Sequence, residues 1–358
     1  CMIKQVYPLD DMELNGTVRA DMTMAGHLSY IEKEQYDRFS ASGTIALSDM
    51  KLKMKEMPDV EIKKSLFTFT PKYLQLSETT VAIGKNDLTA DCRFENYMGY
   101  TLKGSTLKGV LNVRSNHLNL NDFMTATTDS TAQTSQASST EETVSMIEVP
   151  QNIDFQMDAG LKEVLFDKMT FTNMNGKLIV KNGKVDMTNL SMNTMGGSVV
   201  MNGYYSTADP KKPEMNAGFR MENIGFAQAY KALDMVQQMA PIFENLKGNF
   251  SGNMHIRTLL DNQMSPVMDT MQGNGSLSTQ DLSLSGVKVI DQIAEAVKKP
   301  ELKEMKVKDM ALDFTIKDGR VSTKPFDIKL GDYVMNLSGS TGLDQTIDYS
   351  GKIKLPAS

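Results

Sequence analysis

Side chains that could carry catalysis or bind a metal are few and widely separated in this sequence. His27, His117 and His255 are the three histidines, and no pair of them has the spacing of a metal site. H-E-x-x-H, C-x-x-C, G-x-S-x-G and Walker motifs do not occur. The adjacent carboxylates Asp10-Asp11 and Glu141-Glu142 are typical of a solvated turn and a linker. The sequence therefore predicts no catalytic residue, no metal site and no cofactor, and it indicates that the chain is not an enzyme.

One glycine cluster resembles a nucleotide-binding loop only superficially. Gly273-Asn274-Gly275 opens the strand-like run Ser276-Leu277-Ser278. A dinucleotide loop would have to follow a strand and open a helix. We therefore predict a hairpin or a bulge at these glycines.

The two cysteines do not form the framework of a disulfide-rich domain. Cys1 stands at the chain end, and Cys92 lies in a strand-like run. Cys1 has two interpretations, the lipidated first residue of a mature lipoprotein or a truncated start. No apolar run approaches the roughly 20 residues that span a bilayer. Both ends of the chain break off abruptly, and we expect them to continue in a longer protein.

Charge and composition narrow the range of partners. The formal net charge of -6 argues against a nucleic-acid partner, because phosphate binding needs clustered Lys and Arg. The chain has 28 methionines and no tryptophan. Methionine suits surfaces that accept varied apolar ligands, but it also fills core positions that leucine could take. Both interpretations stay open at the level of sequence.

Alternation of apolar and polar residues dominates the chain and predicts β-strands with one apolar face. Asn182-Gly183 and Asp318-Gly319 lie between alternating runs and predict tight hairpins. Each hairpin is followed by a second turn, at Gly196-Gly197 and at Gly331-Asp332. An earlier copy has Thr70-Pro71-Lys72 at the hairpin and Gly84–Asp87 at the second turn. We therefore predict a mostly β fold, an elongated, strongly curved antiparallel sheet of about three repeats.

A few short amphipathic helices accompany the strands. Phe226, Tyr230, Leu233, Val236 and Ala240 recur every three to four residues before a proline and predict one helix. A second apolar stripe runs through residues 289–297, and residues 118–124 hold the equivalent place in the first copy. We expect these helices to cap the sheet or to plug its groove.

A polar segment divides the chain. Residues 125–145 are rich in Ser, Thr and Gln and have almost no apolar content, which predicts a flexible linker. The expected regions are therefore 1–124 as a first β-repeat region, 125–145 as the linker, and 146–358 as the second and third repeats with the short helices. Within the linker, Asp129-Ser130-Thr131 is similar to an O-glycan acceptor sequence of Bacteroidetes, and an unmodified spacer is the other interpretation.

Alternation also selects the residues that we expect on one apolar, lipid-binding surface. The same pattern would line a closed core, so the pattern alone does not show lipid binding. The candidates are Phe67, Phe69, Leu74, Leu76, Val81, Ile83, Leu178, Val180, Val185, Met187, Met192, Phe314, Ile316, Phe326, Ile328, Leu330, Met335 and Leu337.

Several turn and strand patterns resemble those of the AsmA-like proteins of Bacteroidetes, in particular the AsmA C-terminal-like region. These are loose patterns rather than chemical signatures, and they cover nearly the whole chain. They are Met57–Val60, Phe69–Leu74, Ile83–Leu88, Asp318–Val321, Gly331-Asp332 and Leu337–Ser340.

The resemblance implies a periplasmic protein of outer-membrane biogenesis, anchored in the inner membrane by an N-terminal helix that this sequence lacks. It also implies kinship with the repeating β-groove proteins, whose apolar concave sheet carries lipid acyl chains between membranes. The expected partners are phospholipid or another lipid, the inner membrane and envelope proteins. The alternative is a structural or partner-binding periplasmic scaffold with a closed core and no lipid. A β-solenoid acting on polysaccharide is disfavoured, because it calls for clustered carboxylates and aromatic residues.

Overall fold

The computed structural model describes most of the chain. The described residues are 12–27, 29–30, 40–54, 58–124, 148–262, 264–286, 292, 295, 300, 304–307, 310–330, 333–342 and 346–354. The chain divides into two compact units, the first formed by residues 1–167 with 171–187 and the second by residues 168–170 with 188–358. Strands β9 (Met169–Lys181) and β10 (Lys184–Thr194) contribute residues to both units.

The first unit is an antiparallel meander followed by one parallel step. Neighbouring strands from β1 to β6 pair antiparallel. Strand β8 then pairs parallel with β6 and with the short β7. The strands are β1 Met12–Ala25, β2 Ser40–Met54, β3 Val60–Phe69, β4 Tyr73–Ile83, β5 Asn86–Glu95, β6 Leu107–Ser115, β7 Leu118–Asn119 and β8 Ile153–Phe166, with helices α1 Tyr97–Lys103 and α2 Asn121–Met124.

The second unit continues the antiparallel pattern. Strand β14 pairs with β13 on one side and with both β15 and β16 on the other. The strands are β11 Gly197–Ser206, β12 Glu214–Gly225, β13 Leu246–Leu259, β14 Gln272–Ser285, β15 Glu304–Val307, β16 Met310–Lys317, β17 Arg320–Leu330, β18 Tyr333–Gly342 and β19 Ile347–Lys354. The helices are α3 Phe226–Ala232 and α4 Asp234–Met239, with 3-10 turns at Pro241–Asn245 and Met268–Thr270.

Several strands contain a residue with positive φ, and in β4 and β12 this residue lies at a register shift, which marks a bulge. Glu78 in β4 has φ 53°, Asn189 in β10 has φ 48° and Asn223 in β12 has φ 56°. At each of these residues the backbone N–H donates to a polar side chain of a neighbouring strand, at 2.8 Å to Asp91, 2.8 Å to Asn202 and 3.0 Å to Ser251, respectively. In β4 and β12 these hydrogen bonds satisfy the N–H that a bulge removes from the ladder.

The predicted mostly β fold is confirmed, and its strands form a large, open antiparallel sheet. Both predicted hairpins are confirmed as well. Asn182 and Gly183 have φ 52° and 72°, and Asp318 and Gly319 have φ 51° and 68°, the paired positive values of a type I′ turn. Pairing across the second hairpin begins at Lys317 opposite Arg320.

Three local predictions are wrong. The helix predicted over residues 226–240 is two short helices, because Leu233 is extended, with φ -121° and ψ 106°. The second turn of the middle copy is Met195-Gly196, so Gly197 already begins β11. The glycine cluster at 273–275 is neither hairpin nor bulge, because it lies in regular pairing within β14.

Other predictions lie outside the described residues. These include the linker at 125–145, the turn at Gly331-Asp332, Cys1 and most of the helix at 289–297. The division of the chain at that linker therefore stays a prediction.

Candidate functional site

One side of the sheet in the first unit is apolar from β1 to β8, and we call it the first apolar face. Residues opposite each other in adjacent strands share a face, so the register assigns its members without reference to burial. Its members are Leu14, Val18, Ala20, Met22, Gly43, Ile45, Leu47, Met50, Leu52, Val60, Ile62, Ser65, Phe67, Phe69, Leu74, Leu76, Thr79, Val81, Ile83, Asn86, Leu88, Ala90, Cys92, Phe94, Leu107, Gly109, Leu111, Val113, Ser115, Ile153, Phe155, Met157, Ala159 and Leu161.

The first apolar face is incompletely covered. Among the described residues of β1 to β6, every apolar side chain on it other than glycine keeps part of its surface in water. The fully buried side chains of these strands are polar, and two of them, Ser65 and Thr79, hydrogen-bond to each other at 2.8 Å. Buried apolar residues of this unit, such as Val149, Ile153 and Val164, lie in or just before β8. A closed core would bury the large apolar side chains instead.

The opposite side of the same strands is polar and carries ion pairs. Lys51 lies opposite Glu61 in the register and approaches it to 3.9 Å. Arg114 contacts Asp158 on β8 at 3.3 Å. These pairs are exposed, so each contributes little to stability. Their presence shows that the sheet has one apolar and one solvated side, the arrangement that alternation predicts.

Aromatic rings lie over glycines on both apolar faces. The rings of Phe94 and Phe155 are 5.6 Å apart, and a Cβ added at Gly109 between them would lie 2.9 Å from each. A Cβ added at Gly275 would lie 2.6 Å from the ring of Phe314. Glycine is therefore required here by the close approach of a ring, and the rings lie along the sheet surface.

The second unit has an equivalent surface, the second apolar face. Its register is continuous from β11 to β19. Its members are Val199, Met201, Gly203, Tyr205, Met215, Ala217, Phe219, Met221, Ile224, Phe250, Gly252, Met254, Ile256, Thr258, Gly273, Gly275, Leu277, Thr279, Met310, Leu312, Phe314, Ile316, Val321, Thr323, Phe326, Ile328, Met335, Leu337, Gly339, Thr341, Ile347, Tyr349 and Gly351.

Helical segments cover part of the second apolar face. Phe226 of α3 contacts Phe243 and Phe250, with ring centroids 4.7 and 4.9 Å away. Farther along β13, Ile256 forms a buried cluster with Met271 and Ile316. A set of partly buried residues packs against this cluster, namely Met235, Met254, Met268, Phe314 and Val321. Methionine therefore fills a buried core position at Met271, and other methionines form part of the partly buried layer that packs against this core.

Beyond Val321 of β17, the cover over the last three strands is incomplete. Phe326, Ile328, Met335 and Leu337 on β17 and β18 stay partly accessible, and Ile347 on β19 is exposed. The second apolar face is thus buried around Ile256 and Ile316, and many of its other large apolar side chains stay partly accessible. Its exposure is greatest at β19.

Most of the predicted surface residues lie on one or the other of the two faces. Phe67, Phe69, Leu74, Leu76, Val81 and Ile83 all lie on the first apolar face. Phe314, Ile316, Phe326, Ile328, Met335 and Leu337 lie on the second, and the side chain of Leu330 lies outside the described part. In β9, Leu178 and Val180 are less exposed than the alternating Lys177, Ile179 and Lys181; in β10, Val185 and Met187 are partly buried and Met192 is buried.

Sequence reasoning missed many members of both faces. Val18, Ile45 and Leu47 extend the first face to β1 and β2, and Met201 and Phe219 extend the second to β11 and β12. The same period-two alternation occurs in these strands, and it is the signal that could have identified their apolar residues.

A network of polar contacts surrounds Asp87 in the first unit. The Asp87 carboxylate accepts the backbone N–H groups of Asn116, at 2.9 Å, and His117, at 2.7 Å. Burial acts to raise the pKa of Asp87, but these N–H groups, with the side chains of Asn116 and Ser115, together hold that pKa below its ordinary value. His117 in turn contacts Glu163 through Nδ1 at 2.6 Å. These contacts anchor the loop between β6 and β7.

The thiol of Cys92 lies on the first apolar face, opposite Leu76 and Leu111. Burial, together with the charge of the neighbouring Asp91, raises the pKa of this thiol above its ordinary value. Cys92 is therefore a weak nucleophile and a natural reporter of what covers the face.

The described residues contain no group of three or more His, Cys, Asp or Glu side chains placed to hold a metal ion. Within the same ranges, no helix is long and apolar enough to cross a membrane. Comparisons of the chain with protein-family models, with curated proteins and with solved structures find no match.

Proposed function

We propose that this chain is a non-enzymatic periplasmic protein of outer-membrane assembly that binds or conducts phospholipid acyl chains along an apolar β-groove. The observation that carries the proposal is the first apolar face, whose apolar side chains from β1 to β6 all remain partly in water. An exposed apolar patch of this extent is typical of a binding surface. No catalytic or metal chemistry is part of the proposal.

The dimensions of the first apolar face suit a lipid. Seven of its strands, β1 to β6 and β8, lie side by side, and strands are spaced by about 4.8 Å, which gives roughly 29 Å across. One leaflet of acyl chains occupies half of the about 30 Å hydrocarbon core, or roughly 15 Å. Each methylene transferred from water to the face contributes about 0.8 kcal/mol. The face can therefore accept the full length of an acyl chain.

We infer that the sheet follows a three-repeat plan and is elongated and strongly curved. Support comes from bulges at matching places in the middle strand of each predicted copy. Register shifts occur in β4 between Leu76 and Thr79 and in β17 between Thr323 and Phe326, and Asn189 in β10 has the positive φ of a bulge. Bulges bend a strand and increase its twist, so their recurrence favours a curved groove.

The cellular setting follows from the resemblance to AsmA-like proteins. On that basis we propose that the full-length protein is anchored in the inner membrane and has its body in the periplasm. Envelope proteins are its further partners in the proposal. The polar, ion-paired side of the sheet supports it, because this side is suited to water while the other side holds the lipid.

The test is recovery of lipid with the purified protein, measured by mass spectrometry of an organic extract. Leu76→Asp places a charge on the first apolar face, and Gln75→Asp places the same charge on the polar side of the same strand. We expect the wild type and Gln75→Asp to retain phospholipid and Leu76→Asp to lose most of it while remaining folded. Equal lipid recovery from both variants would contradict the groove.

The alternative function, a scaffold with a closed core, is favoured by one observation. The second apolar face is covered in part, because Phe226 of α3 and Ile256 of β13 are nearly inaccessible. If the wild type yields no lipid from either membrane extracts or added vesicles of phosphatidylethanolamine, the scaffold becomes the better explanation of the fold.

A further inference from the structure

Strands β1 and β19 carry more than half of the exposed large apolar side chains in the described part of the chain. Nine large apolar side chains are exposed in the described ranges, and five of them lie on these two strands. Val18 is 43% exposed and Ile347 is 71% exposed. The other three are Met22, Met24 and Tyr349. Apolar exposure concentrated on edge strands calls for a partner.

Both strands also have an unused backbone edge. In the described part of the chain, β1 pairs with β2 and β19 pairs with β18, so one side of each strand is free. Natural edge strands are usually short or interrupted by proline. Strand β1 has 14 residues and β19 has eight, and neither contains a proline. The charged side chains on both strands restrict pairing to an edge of complementary charge, and the strands are long enough to serve as templates for such an edge.

We propose that β19 of one molecule pairs antiparallel with β1 of a second copy, in the register that places Tyr349 opposite Val18. This register places Asp348 opposite Arg19 and Lys354 opposite Glu13, so two pairs of opposite charge face each other on the polar side. The apolar side matches as well, because Ile347 then lies opposite Ala20. Opposite charges directly across a sheet stabilise pairing, and like charges destabilise it.

The charges select this register over its neighbours. Sliding β19 by two residues in one direction places Asp348 opposite Asp21, which is repulsive. Sliding it by two in the other direction places Asp348 opposite Thr17 and leaves Lys352 with Glu13 as the one opposite-charge pair among described residues. A slip by one residue would turn the apolar side of one strand to the polar side of the other.

The pairing joins two different edges, so each added copy offers a new free edge and association can continue. It also connects the second apolar face of one copy to the first apolar face of the next. The pairing depends on backbone edges and charges rather than on bound lipid. The strand pairing can therefore be tested independently of the proposed lipid-binding function.

Charge reversal tests the pairing. Asp348→Arg alone and Arg19→Asp alone each create a like-charge pair, and we expect either change to weaken association roughly 2- to 30-fold. Mixing the two variants in equal amounts places Arg at 348 of one opposite Asp at 19 of the other, and association should return. The double variant in one chain should behave like the wild type.

Asp21→Arg is the matched control. It makes the same Asp-to-Arg change as Asp348→Arg, but on β1, where its partner in the proposed register is the neutral Thr346, so association should not weaken. The measurement is the concentration dependence of the sedimentation coefficient of the 358-residue protein, before and after lipid is removed with detergent. Far-ultraviolet circular dichroism shows that each variant is folded.

Several results would overturn the proposal. A wild type that stays monomeric over the whole concentration range excludes the pairing, and so does a mixture of the two variants that fails to restore association. Association that disappears when lipid is removed would show bridging by lipid rather than pairing of strands. Leu76→Asp should lose lipid yet associate normally, which separates this proposal from the proposed function.

Discussion

The contrast between covered and open parts of one sheet predicts opposite outcomes for the same substitution. Ile316 is 5% exposed and belongs to the buried cluster with Ile256 and Met271. Ile328 lies on the same face one strand away, opposite Met335, and is only partly buried. Replacing each isoleucine by aspartate therefore introduces the same charge into two environments that differ in access to water.

The expected costs follow from burial. Ile316→Asp loses the transfer free energy of a buried isoleucine, about 1.5–3 kcal/mol. It also leaves an unpaired carboxylate in the core, at a further cost of several kcal/mol. The sum is comparable to the whole stability of a domain, about 5–15 kcal/mol, so this variant should be largely unfolded. Ile328→Asp keeps its charge in contact with water and should cost only about 1 kcal/mol.

Urea unfolding followed by circular dichroism measures both costs, and lipid recovery from the folded variant gives a second readout. We expect Ile328→Asp to unfold cooperatively near the wild-type midpoint and to carry less lipid. Similar destabilisation by the two substitutions would refute the distinction between a closed and an open part of the second apolar face. A stable Ile316→Asp protein would refute the assignment of its cluster as a core.

Three further predictions concern single residues. In a Cys1→Ser background, iodoacetamide should modify Cys92 slowly at pH 8 and faster at higher pH, because the pKa of the thiol is raised. Removal of lipid should speed this reaction. An unchanged rate after lipid removal would argue against lipid on the first apolar face. Gly183→Val should destabilise the protein to urea by about 1 kcal/mol or more, whereas Gly183→Asn should be near neutral, since asparagine tolerates positive φ. Folding lowers the pKa of Asp87, so the charged carboxylate stabilises the fold at pH values above the ordinary carboxyl pKa of about 3.9. This stabilisation is lost as the pH falls through the pKa that Asp87 has in the folded protein. The stability advantage of the wild type over Asp87→Asn, measured by thermal unfolding, should therefore be largest near neutral pH and shrink in acid; an advantage that grows in acid would contradict this sign.

The sequence by itself determined the class of the fold and the positions of two tight hairpins. Period-two alternation is a local property of a strand, because successive side chains point to opposite sides. Asn182-Gly183 and Asp318-Gly319 are equally local, since few other residues accept two consecutive positive φ values. Such features depend on a few neighbouring residues and can be read without knowing the rest of the chain.

The tertiary structure decided which alternating segments share a face. Leu76 and Val81 are five residues apart, so unbroken alternation would place them on opposite sides of β4. The bulge at Glu78 shifts the phase, and both residues lie on the first apolar face. The bulge is held by a hydrogen bond to Asp91 on β5 and by the ion pair of Glu78 with Lys64 on β3, contacts that exist only once the sheet has formed.

The sequence also did not predict which residues of an apolar face are covered by other segments. Ile316 and Ile328 follow the same alternation, yet Ile316 is buried beneath methionines from distant segments and Ile328 is only partly buried. Likewise, the glycines at 273–275 predicted a hairpin or a bulge, but they lie in regular pairing within β14. A side chain does not fit at Gly275, because the Phe314 ring of the neighbouring strand occupies the space above it. Alternation states which side of a strand is apolar, whereas contacts between residues far apart in the chain determine whether that side is core or open surface.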